Sequence, residues 1–134
     1  MMHDDSPRPV AATLVFVYGT LRAGGSNDIR RYRPSARLVG SGWIAGTLYH
    51  LGGYPGVLLG GPGRVYGEVW QIDQEVEEQL DRLEDVRPDD DGEYRRRTVS
   101  VDVGGQELQC TVYEIHPSRA QGRAIIASGD WMAG

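Results

Sequence analysis

Apolar residues in this chain come in short β-branched or alternating stretches. Leu14 to Tyr18, "ARLVGSGWIAGTLYHLG" at 36–52, "RVYGEVWQI" at 64–72, "YRRRTVSVDV" at 94–103 and "ELQCTVYEI" at 107–115 all read this way, and three of the five stop at glycine. Period-two patterning closed by glycine marks strands. The chain is therefore confined to a strand-rich α+β domain or a small irregular barrel. Its 19 glycines, scattered over 134 residues, suit a fold with many turns. Within 36–52 the pattern reads as strand, bend, strand, with Gly40, Gly42 and Gly46 at bulges or close backbone approaches. "YPGVLLGGPG" at 54–63 reads as a turn, a short strand and another turn. Gly104-Gly105 signals a hairpin between the last two strands.

Helical spacing is convincing once. Asp73 is a good N-cap, acids follow it at the positive end of the dipole, and Val76, Leu80 and Leu83 form one apolar stripe. A shorter helix is expected after residue 26, capped by Ser26 or Asn27 and ending before Pro34. The tail "GRAIIASGDWMAG" offers one helical turn. No repeat or linker divides the chain, so the expectation is a flexible polar arm over 1–13 and a single domain over 14–134.

Charge and composition exclude several function classes. A formal net charge of -5 argues against nucleic-acid binding. All 14 basic residues are arginine, which removes lysine Schiff-base chemistry and the lysine of a phosphate loop. The arginines at 22, 30, 31, 33 and 37 offer an anion patch or, more simply, a solvated face balancing the acids at 73–93. His3, His50 and His116 are isolated, so no metal site is expected. "DDDGE" at 89–93 lacks the spacing of a calcium loop and reads as a solvated turn. Cys110, the one cysteine, sits in an alternating strand and reads as core. No run approaches a membrane span and the N-terminus does not read as a signal peptide, so a cytoplasmic protein is expected.

Two features carry chemistry. Glu84 lies at the margin of the Val76–Leu80 stripe, in the last helical turn, where partial burial and the helix dipole both raise a carboxyl's pKa. A carboxyl so tuned suits general acid–base work, although an ordinary rim glutamate has the same spacing. The first strand ends in "YGTLR" at 18–22, which bares consecutive N–H groups beside Gly19 and adds the hydroxyls of Tyr18 and Thr20. Such groups can hold a carboxylate or an oxyanion, and a plain strand-to-loop turn looks the same.

"FVYGTLR" at 16–22, "LYHLGGYPGVL" at 48–58, "VYGEVWQI" at 65–72, "LDRLEDV" at 80–86, "YRRRTVSV" at 94–101 and "VYEI" at 112–115 occur in the order of the γ-glutamylcyclotransferase-like (AIG2-like) superfamily. The "SGDW" ending resembles its bacterial YtfP-type branch, and the small bacterial members and γ-glutamylamine cyclotransferase are the nearest likeness. The resemblance runs from Val15 to Trp131. It implies a small mixed β-barrel with flanking helices and a cavity between the 18–21 loop and Glu84. It implies Glu84 as catalytic acid/base, Tyr18, Gly19, Thr20 and Leu21 as binders of a γ-glutamyl group, and Tyr113 as a cavity-lining residue. It implies a small-molecule γ-glutamyl substrate cyclised to 5-oxoproline, with no cofactor. Some YtfP-type members lack the glutamate, so a non-catalytic binding protein of the same fold is the alternative. The chain departs from the pattern at Asp85, where glycine often follows the glutamate, and in the added length of "RPDDDG" at 87–92.

Overall fold

The computed structural model describes residues 13–31, 36–87 and 92–133. Five strands form one sheet: β1 (Thr13–Val17), β2 (Ala36–His50), β3 (Pro55–Ile72), β4 (Tyr94–Val103) and β5 (Gln106–Ile115). Helix α1 (Gln74–Leu83) follows β3, and the short helix α2 (Pro117–Ala120) follows β5. Strand order is β2-β3-β1-β5-β4. β1 runs antiparallel to β3 and parallel to β5, so it is buried on both faces, and Val15, Phe16 and Val17 are almost inaccessible.

β2 and β3 are longer than their glycines suggest. Each is one bent strand, and the ladder between them slips at Leu38/Gly40 and Ala45/Gly46. The expected bend in 36–52 and the turn after 59 are bulges and kinks inside continuous strands, while the turn before 56 is the real connection between β2 and β3, with Leu51 N–H bonded to Tyr54 O. Gly60 and Gly61 adopt φ of 92° and 80°, which turns β3 sharply without ending it. The bend brings Val57 beside Glu114 of β5, while the second half of β3 still holds β1. The outer strands then approach each other: a Cβ on Gly42 of β2 would sit 2.8 Å from the Asp102 carbonyl oxygen of β4. The sheet curls into a barrel-like shell that closes by this contact rather than by a hydrogen-bonded ladder.

Local rules hold where they are strong. The Asp73 carboxylate accepts from Val76 N–H at 2.9 Å and starts α1. Gly104 and Gly105, with φ of 61° and 88°, make the two-residue turn between β4 and β5. Cys110 is buried, and burial pushes its thiol up to about 11.

Other expectations need correction. After residue 26 there is only a 3₁₀ turn, Ile29–Arg31, and its cap is Asp28, whose carboxylate accepts from Arg30 N–H. The helix's proposed end before Pro34 lies outside the described residues, as do the arm over 1–12 and most of the 89–93 turn. In the tail the helical turn comes earlier, at Pro117–Ala120, and 122–133 is a series of turns. Leu83 is not core: it is 44% exposed, while Val76 and Leu80 are fully buried.

Candidate active site

The site is built where β1 runs out. Past Val17, the chain turns through 18–28, and the carbonyls of Gly19, Thr20 and Leu21 accept from Arg22, Asn27 and Ile29 N–H. The N–H groups of the same three residues donate to no partner among the described residues. The loop folds back on its own carbonyls and leaves its donors available. Gly19 is required by crowding: a Cβ there would lie 2.7 Å from the Pro55 ring.

A cavity of about 360 Å³ opens against this loop. Tyr18, Gly19, Thr20, Leu21, Glu84 and Tyr113 all line it. The sequence reading left out Tyr54, Glu93 and Tyr94, which complete the wall. Tyr94 opens the "YRRR" stretch and Tyr54 the "YPG" turn, yet neither position carries a local signal for a cavity.

Four tyrosines surround the space, and each has committed its proton. Tyr18 donates to the Tyr113 carbonyl at 2.6 Å and accepts from Val57 N–H at 3.3 Å. Tyr94 donates to the Pro55 carbonyl, Tyr113 to the Asp81 carboxylate and Tyr54 to the Glu93 carboxylate. Burial holds the Tyr18, Tyr94 and Tyr113 phenols above the ordinary range, and the bond to Glu93 does the same for Tyr54. What Tyr18 offers the cavity is its ring and backbone, because its hydroxyl ties β5 to β3.

Glu84 is different. It caps the C-terminus of α1, and its N–H still bonds to Leu80 O. Its carboxyl forms no hydrogen bond among the described residues. Withdrawal from water, with the Glu93 charge second, pushes it up to about 8. Asp85 follows with φ of 56°, the left-handed position that usually takes glycine. Val86 N–H bonds to Asp81 O and Asp85 N–H to Arg82 O, a Schellman end. Asp85 also accepts from Glu93 N–H at 3.1 Å, which fastens the helix end to the start of β4. The unusual residue after the glutamate thus holds the two acids of the cavity in register.

The loop's far side is pinned by Arg22, which is 8% exposed. Its guanidinium donates to Asp130 at 2.7 Å, lies 3.6 Å from Glu68 and covers the Tyr66 ring. Glu68 also accepts from Ala23 N–H and Trp70 Nε1. Of the arginines of 22–37, the three with side-chain partners among the described residues, Arg22, Arg30 and Arg37, do not pair with the acids at 73–93. Arg22 pairs with Glu68 and Asp130, Arg30 with Asp28, and Arg96 of β4 serves Glu77 and Asp81. No three histidine, cysteine or acidic side chains gather as a metal site among the described residues, and no described helix is long and apolar enough to cross a membrane.

A curled five-strand mixed sheet with few helices is the fold of a known class. The chain belongs to the "Gamma-glutamyl cyclotransferase, AIG2-like" family, whose model matches residues 15–133. It is 41% identical over 120 residues to a Vibrio cholerae protein provisionally named a γ-glutamylcyclotransferase, covering 88% of this chain and 94% of that one. It is 34% identical to the γ-glutamylcyclotransferase family protein YtfP of Escherichia coli, over 88% of this chain and 95% of the relative. Among solved structures, an AIG2-like protein from mouse superimposes with a TM-score of 0.67 at 31% identity, over 78% of this chain and 77% of that one.

Proposed function

We propose that this cavity cyclises a γ-glutamyl group to 5-oxoproline and releases the amine. The α-amine of the substrate attacks its own γ-carbonyl, a C–N bond of the five-membered ring forms, and the amide bond to the leaving nitrogen breaks. Nucleophile and electrophile share one molecule, so folding the substrate into attack geometry supplies much of the acceleration. Glu84 takes a proton from the α-ammonium and returns one to the leaving nitrogen. A pKa near neutrality suits both transfers, and an incoming ammonium favours the carboxylate form. The free N–H groups of Gly19, Thr20 and Leu21 hold the substrate's oxygens. The observation that carries this reading is Glu84: its carboxyl lines the cavity, forms no hydrogen bond among the described residues, and is pushed up to about 8 by burial.

The test offers three compounds sharing one leaving amine: γ-linked, N-acetylated γ-linked, and α-linked glutamyl. Mass spectrometry follows the amine and 5-oxoproline. Only the γ-linked compound with a free α-amine is expected to react. Free glutamate as product, or release from the N-acetylated compound, overturns the mechanism. Binding of γ-glutamyl compounds with no turnover across a broad set of amines makes the protein a binding module.

A further inference from the structure

A second cavity, of about 210 Å³, adjoins the first, and Tyr54 and Glu93 belong to the walls of both. Its remaining wall includes Arg119, Gln121 and Arg123, from α2 and the turn after it. Backbone bonds from Arg119 N–H to His116 O and from Arg123 N–H to Ala120 O fix this segment. Acids elsewhere are already matched: Glu77 and Asp81 to Arg96, Glu114 to Arg95 and Arg97, Glu68 and Asp130 to Arg22, Asp85 to Arg87. Arg119 and Arg123 have no ion-pair partner among the described residues. Their field still reaches the shared wall, since both guanidiniums act on the Tyr54 phenol.

We infer that this annex receives an anionic group, carboxylate or phosphate, on the amine that the reaction releases, with Arg119 and Arg123 as its specificity-determining residues. The inference rests on the cyclisation reading. Glu84 must deliver a proton to the leaving nitrogen, so that nitrogen lies at Glu84. Glu84 feels the charge of Glu93, and Glu93 is the wall between the two cavities. The far end of the leaving amine therefore has its nearest free space in the annex. Two guanidiniums and a carboxamide there supply N–H donors for anionic oxygen. Glu93, whose carboxylate is occupied by Tyr54, lines both cavities; of the two, only the annex has guanidiniums in its wall.

The experiment compares γ-glutamyl-propylamine, γ-glutamyl-β-alanine and γ-glutamyl-(2-aminoethyl phosphate), which present a neutral, a carboxylate and a phosphate end. The full chain should turn over at least one anionic compound with kcat/KM about tenfold above the neutral one, carried by KM, as for one charge-assisted hydrogen bond. Arg119→Gln with Arg123→Gln should bring the ratio close to one and leave the neutral compound's kcat unchanged. Whichever anion loses more identifies the source. A preference for the neutral compound, or a ratio that survives the double substitution, overturns the inference. Calorimetry with the N-acetylated forms separates this failure from failure of the cyclisation reading. If no compound turns over, tighter binding of the anionic form that the double variant loses still supports the annex, and equal binding refutes it.

Discussion

Two of the charged side chains withdrawn from water in this molecule, Arg22 and Glu84, are treated in opposite ways. Arg22 is given Asp130, Glu68 and the face of Tyr66. Glu84 is given a like charge, Glu93, and no hydrogen bond among the described residues. Burying a charge is costly unless it is paired. Matched, the charge becomes a rivet that holds a loop. Unmatched, it shifts its pKa and is left ready to exchange protons. Arg22 holds the loop that lines the cavity of Glu84, so in the proposed reaction the rivet positions what the unpaired acid acts on.

The comparison breaks most sharply at Glu84. Glu84→Gln should lower 5-oxoproline formation by about 10²-fold or more, the scale of a lost acid–base group. Its stability should move the other way, with a sign set by pH. A carboxyl raised from 4.5 to about 8 favours the protonated folded state. The parent therefore loses stability, relative to the variant, as pH rises from about 4.5 through 8. Melting temperatures of the two should coincide at pH 4 and separate by several degrees above pH 8 in favour of Gln. A constant difference across that range would place Glu84 in water.

Arg22 predicts the reverse profile. Deleting residues 128–134 removes Asp130 from Arg22, the Gly129 carbonyl from Tyr66 N–H and Trp131 from the His50 ring. Melting should fall by several degrees, for a loss of about 1–2 kcal/mol in a domain of this size. Asp130→Ala alone should give part of that loss. Burial pushes the Asp130 carboxyl up, but the hydrogen bond and charge of Arg22 outweigh it and leave the pKa lowered. The contribution of Asp130 is thus present above its ordinary value of 3.8 and disappears as pH falls below it. A truncated protein with unchanged melting but lost turnover would move the tail from scaffold to site.

Gly19→Ala should cost about 1–3 kcal/mol, because the new methyl meets the Pro55 ring at 2.7 Å. Pro55 carries the acceptor for Tyr94, so the cavity wall shifts with it and affinity for γ-glutamyl ligands should weaken in the folded fraction. Unimpaired affinity in that fraction would show that the loop does not meet the ligand. The smallest effect belongs to Asp85→Gly. The left-handed backbone relaxes, worth about 1 kcal/mol, while the bond to Glu93 N–H is lost. Melting should change by no more than a few degrees, and a larger fall would mean that the tie to β4 outweighs the backbone strain.

How much of this could be read from residue order follows from the range of each interaction. Asp73 bonds three residues ahead, and Gly104-Gly105 needs only its own φ values, so α1 and the last hairpin were legible. The long β2 and β3 were not. Gly46 looks like a strand end until its pairing with Leu59 shows that the ladder resumes past the unpaired 60–63. The spacing of Glu84 after Val76 and Leu80 marked it as a margin residue, but its isolation depends on Glu93, which reaches it only through Asp85. The pairing of Arg22 with Asp130 spans nearly the whole chain, and no local rule anticipates it. The family resemblance supplied the 18–21 loop and Tyr113, and it could not say that the Tyr18 hydroxyl is spent on the scaffold.

β1 has a consequence for how the protein is made. It is the first strand to be synthesised, yet its partners are the second half of β3 and the middle of β5. Tyr18, at its end, bonds to the carbonyl of Tyr113. β2 and β3 pair with each other as soon as both exist, and β1 can join β3 along its whole length, but its other edge stays open until β5 arrives. One side of the first cavity residues therefore stays open on the growing chain until the last of the five described strands arrives. In the proposed function, binding competence arrives only after β5, and ligand capture on stalled chains of increasing length would time the closing of the barrel.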